Sequence, residues 1–148
     1  MCRRDRFNGL EPGSAQFTAV YKSIAAAKPL EFEANQFLYI AATHYEPQVK
    51  KLLANGIDVT KRNVAVRECV FSVAVQYGPN TSLIVNAVGA NFKGTDEEFL
   101  IKVQNYRGDT VKTYFKSSSK DVQDGVVTRS KNEKADLLAL LKSSSTVV

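Results

Sequence analysis

The chain has 148 residues, 44% of them hydrophobic and 24% charged, which excludes collagenous, coiled-coil and wholly disordered chains. That length suffices for one domain burying about 70% of its unfolded surface. Twenty Lys and Arg against 15 Asp and Glu leave +5 and a pI near 9.2, favouring an anionic partner without naming it.

Apolar runs such as Val70 to Val75 fall far short of the roughly 20 residues of a membrane span. No apolar stretch follows Arg3, Arg4 and Arg6 before Glu11-Pro12-Gly13, so a secretory leader is not expected. Residues 1–13, with turn signals at Asn8-Gly9 and Pro12-Gly13, are expected to be an arm. Ser14 is a good N-cap, and Phe17, Val20, Tyr21 and Ile24 then recur at helical steps to about Ala27. Pro29 restarts a helix that carries Phe32, Phe37, Ile40 and His44. Pro47 permits a further short segment, closed by Gly56.

Asn63 to Tyr77 is the most apolar element, with apolar residues on nearly every side of the wheel. Its β-branched content is compatible with a strand, but its length favours a helix wrapped by the others. Gly78-Pro79 ends it, and Thr81 to Val88 reads as one more short helix. Thr95-Asp96-Glu97-Glu98 is a capping box opening Phe99 to Tyr106. A short helix is expected around Asp109 to Phe115, and another around Val122 to Val127 after Ser117-Ser118-Ser119. Ser130-x-x-Glu133 reads as a second capping box before Leu137 to Leu141, and 143–148 as a frayed tail. One domain is expected over 14–142.

Phosphate loops, zinc motifs and the nucleophile elbow are absent, and no motif implies a cofactor. His44 stands alone among histidines, and Cys2 and Cys69 have no metal-ligand spacing, so no metal site is expected. Cys69 reads as a small core residue, and His44 as a hydrogen-bonding group in core or cleft. Gln76 is either an interior clamp or a cleft wall, because an unpaired buried amide costs roughly 1–3 kcal/mol. Arg107 and Arg129 are the arginines expected to be tethered, or to face helix dipoles. Glu68 alone among the carboxylates lacks a capping or dipole explanation. It is either ion-paired or a weak candidate for a catalytic acid. The basic residues alternate with acids, as solvated faces do and a nucleic-acid stripe does not.

Four runs carry a family resemblance: FEANQFLYIAATHYEPQV (32–49), FSVAVQYGPNTSLIVNAV (71–88), TDEEFLIKVQNYRGDTVKTYF (95–115) and TRSKNEKADLL (128–138). Together they resemble the C-terminal part of the lysozyme-like, chitosanase-like peptidoglycan hydrolases carried by phage tail or lysis proteins and by type VI secretion spike proteins. The resemblance implies an all-α, orthogonal bundle around a buried central helix and delivery to the cell wall by phage or secretion system. It also implies a glycan cleft lined by His44, Tyr45, Gln76 and Arg107. The family's acid glutamate and SYG-containing loop precede the segment matching 14–28. The expectation is therefore a truncated hydrolase, or one half of an enzyme completed by a second chain or upstream segment, acting on peptidoglycan glycan strands. A non-catalytic cell-wall-binding or virion structural module and a basic nucleic-acid-associated phage protein are the alternatives.

Overall fold

The computed structural model describes residues 6–145, and every regular element among them is helical. Met1 to Asp5, with Cys2, Arg3 and Arg4, and Thr146 to Val148 lie outside the described residues. The chain divides into two compact units, 1–40 and 41–148.

The first unit is a helical hairpin of α1 (Ala15–Ala27) and α2 (Pro29–Ile40). Ser14 caps α1 as its sequence suggests, its hydroxyl accepting from the Phe17 amide at 3.1 Å. Tyr21 meets Phe32 edge to face at 5.2 Å, and the Gln36 amide donates to the Tyr21 hydroxyl at 2.6 Å. The hairpin is thereby closed by side chains 11 and 15 residues apart.

The second unit opens with a π-helical turn, Ala41–Tyr45, which carries His44 and Tyr45. It continues through α3 (Glu46–Ala54), a 3₁₀ turn (Val59–Lys61), α4 (Val64–Tyr77), α5 (Leu83–Val88), α6 (Asp96–Asp109), α7 (Val111–Tyr114) and α8 (Lys120–Ser145). Pro47 sits in the first turn of α3, where its missing N–H leaves no intrahelical bond unmade. Helix α4 packs against the π turn, α3, the 3₁₀ turn, α5, α6 and α8, with Ala65, Val66, Cys69, Val70, Val73 and Ala74 buried. It is the central helix expected from its composition, with one correction: Val75 is 45% exposed, so the apolar residues do not bury on every face.

Two clasps hold the core together. Arg62 donates to Asp96 at 2.8 Å and to the Gly94 carbonyl at 3.2 Å, while its guanidinium lies over the Phe92 ring at 5.2 Å. Gln48, its amide turned to donate to the Pro79 and Thr81 carbonyls at 2.8 and 3.3 Å, works with Lys51, which reaches Asn80 O and Ser82 Oγ. Together they pin the 78–82 loop to α3. Gly56 adopts φ +75°, and a Cβ there would lie 2.1 Å from Asn91 Oδ1 and 3.2 Å from Asn91 Cα, so any larger residue at the α3 exit is strained.

The C-terminal helix departs from the sequence reading. Thr95 and Glu98 form the expected reciprocal capping box on α6, but Ser130-x-x-Glu133 does not cap anything. Lys120 to Ser145 is one continuous helix. Inside it, Ser130 back-bonds to the Val127 carbonyl at 2.9 Å, as serines within helices do. The tail expected to fray at Ser143 is still helical there, and Ser144 ties the last turn to Asn63 at 3.0 Å.

Candidate functional site

Packing α6 and α8 against α4 brings the residues expected at the site into two groups. In the interior, Arg107 is 1% exposed and its guanidinium is surrounded by acceptors. It donates to Glu133 Oε1 at 2.7 Å and Gln104 Oε1 at 3.1 Å, and also to Ser72 Oγ and Gln76 Oε1. Gln104 donates in turn to Glu133 Oε1 at 3.1 Å and approaches Cys69 Sγ at 3.6 Å. The guanidinium also lies 5.6 Å from the centre of the Tyr77 ring, a cation–π contact. Arg107 Nε and the Tyr77 hydroxyl are buried with no hydrogen-bond partner among the described residues.

The electrostatics of this group follow from its burial. Burial alone would raise the Glu133 carboxyl, but the charge and hydrogen bonds of Arg107, with those of Ser72 and Gln104, outweigh it and hold Glu133 below the usual carboxylate range. Glu133 is therefore an ionised acceptor and not a proton donor at neutral pH. Burial pushes the Cys69 thiol up to about 12, so it stays protonated and unreactive. Burial also raises the Tyr77 phenol.

The second group lies on the π turn and the outer side of α4. Tyr45 is half-buried, its ring 5.9 Å from Phe71, and burial raises its phenol, with Arg67 and Glu68 near enough to act on it. His44 Nδ1 lies 2.9 Å from Thr43 Oγ1. π turns insert an extra residue per turn and re-aim the side chains on either side. Glu68 is exposed and forms neither an ion pair nor a hydrogen bond among the described residues, so the ionic pairing expected for it is not made.

The structure thus brings Gln76 to Arg107, and Tyr45 near Glu68. Among the described residues, no hydrogen bond or ring contact joins His44 or Tyr45 to Gln76 or Arg107. Gln76 is half-buried and accepts from Arg107, and Arg107 is an ion-paired core group. Sequence reasoning missed Glu133, Gln104 and Ser72. The local signs of shared faces are the i, i+3 spacing of Gln104 and Arg107 and the i, i+4 spacing of Arg129 and Glu133, which approach at 3.7 Å.

Among the described residues, no helix is long and apolar enough to cross a membrane, and no three His, Cys, Asp or Glu converge in a metal-holding group.

Residues 2–134 match the family model for the type VI secretion system spike protein VgrG3-like C-terminal region. The chain is 35% identical over 139 residues to the type VI secretion system spike protein VgrG3 of Vibrio cholerae serotype O1 (strain ATCC 39315 / El Tor Inaba N16961). That match takes in 93% of this chain and 14% of the relative, so the chain spans a small part of the protein it resembles. On both matches, the chain belongs to the VgrG3-like C-terminal family of type VI secretion spike proteins.

Proposed function

We propose that this chain is a peptidoglycan-directed module of a type VI secretion spike, lysozyme-like in its orthogonal helical arrangement, which binds glycan strands without cleaving them by itself. The observation that carries the reading is the state of the one carboxylate held in the interior site. Glycoside cleavage needs a carboxylic acid that keeps its proton and a second carboxylate about 5–10 Å away. Glu133 is instead locked to Arg107 at 2.7 Å and held ionised. Glu68 stands in solvent without apolar enclosure, and Asp96 and Glu98 are engaged in the Arg62 clasp and the capping box.

Binding has better support. Tyr45 presents a half-buried ring beside His44, the pairing of an aromatic face with polar neighbours that suits a sugar ring. The net charge of +5 suits the carboxylates of the wall polymer.

Cosedimentation of the purified chain with sacculi tests the reading. Tyr45→Ala and His44→Ala should each weaken binding by several-fold while Glu68→Gln leaves it unchanged. Equal sedimentation with and without sacculi overturns the reading.

A further inference from the structure

We infer that the outer side of α2 is a self-association surface, on which two copies of this chain pair antiparallel about a two-fold axis through Ala34. The inference goes beyond the function proposed above and does not rest on it.

Helix α2 is apolar on two opposite sides. Phe32 and Gln36 engage Tyr21 of α1, and half-buried Ile40 continues the same row one turn on. Leu30, Ala34 and Leu38 form a second row at the same four-residue step, and the two-residue offset turns the rows about 200° apart. Leu30 is 82% exposed, Leu38 62% and Phe37, beside the row, 59%. Ala34 is exposed between them. Apolar rows on two sides fit a helix packed between two elements, and the hairpin supplies only α1. The hairpin is also small, with helices of 13 and 12 residues and Ile24 as its one buried side chain among the described residues. Units below about 40 residues usually need oligomerisation or a cross-link to hold together.

Charge and residue order select the occupant. Helix α2 carries Glu31 and Glu33 and no cation, so nucleic acid and anionic lipid are repelled. A second copy fits because the row reads the same from either end: large, small, large. Antiparallel pairing sets Leu30 of one copy against the partner's Leu38, with the two Ala34 residues at the crossing. Residues four apart form the ridges that interdigitate in the commonest class of helix packing, and the small central residue lets the axes approach. The same sense separates the glutamates of the two copies and runs the helix dipoles in opposite directions, whereas parallel pairing would crowd four carboxylates. At roughly 100 Å² for each of Leu30, Phe37 and Leu38, two copies cover about 600 Å² of apolar surface, half of the roughly 1,200 Å² of a stable complex. The dimer is therefore reversible, with a Kd on the order of 0.1 mM.

Sedimentation equilibrium of the full chain, from tenfold below to tenfold above that Kd, tests the inference at about 0.15 M salt, where the +5 charge of each copy is largely screened. The expected result is a monomer–dimer equilibrium. Leu30→Lys alone and Leu38→Glu alone should each weaken it about tenfold, and the two together should restore it, because position 30 of one copy then meets the opposite charge at position 38 of its partner. All these positions are exposed, so Tm should not fall. Ala34→Cys in a Cys2→Ser background should cross-link copies under mild oxidation, since Cα atoms at such a crossing lie within disulfide reach. A chain that stays monomeric over the whole range overturns the inference and leaves the row to a helix of a different protein. A dimer indifferent to the single substitutions, or one that the paired substitution fails to restore, overturns it as well.

Discussion

A guanidinium 1% exposed cannot shed its charge, so the interior of the second unit depends on the carboxylate that Arg107 meets. Removing one partner of a buried pair costs about 3–5 kcal/mol, because the other charge is stranded. Glu133→Gln should therefore destabilise by about that amount, measured by urea unfolding, while exposed Glu68→Gln stays within about 0.5 kcal/mol. Gln76→Ala leaves one guanidinium N–H unpaired and should cost roughly 1–3 kcal/mol. The pH dependence has a definite sign. The folded Glu133 carboxyl is held below its unfolded value, so its contribution is fully present above the unfolded value of about 4.3. It is lost as pH falls through the folded value. The acid unfolding midpoint should accordingly move in Glu133→Gln, and an unchanged acid limb would remove Glu133 as the titrating group.

At the level of elements, the two Thr/Ser-x-x-Glu patterns show what was legible and what was not. Thr95 follows a bend at Gly94, so the first amides of α6 have no preceding helical turn to serve and need a cap, and the box forms as read. Ser130 carries the same pattern, but Val126 and Val127 continue the helix into it. Besides Arg129 one turn back at 3.7 Å, Glu133 finds its closer and buried partner 26 residues back in the chain, in Arg107. Local spacing cannot reveal such a partner, since it exists only once α6 and α8 have packed. The central helix, the Ser14 cap and the burial of Cys69 were legible because each follows from composition or from neighbours within one turn. Two stability measurements separate the cases. Ser130→Ala should change unfolding free energy by less than about 0.5 kcal/mol, since its hydroxyl only back-bonds. Thr95→Ala should cost about 1 kcal/mol. A loss at Ser130 equal to that at Thr95 would restore the second cap and split α8.

For the whole molecule, the proposed role requires binding to the wall polymer with its glycan bonds left intact. Loss of general-acid assistance alone slows such chemistry by about 10²–10⁴-fold, so turnover by this chain should sit near the detection limit. The most direct measurement is a muropeptide and reducing-end profile of purified sacculi after prolonged incubation with the chain, taken beside the bound fraction. A substantial bound fraction and a profile identical to that of untreated sacculi are expected. New reducing ends in quantity, abolished by Glu68→Gln in a variant that still folds and binds, would contradict the proposed role and place the catalytic acid on the exposed face of α4.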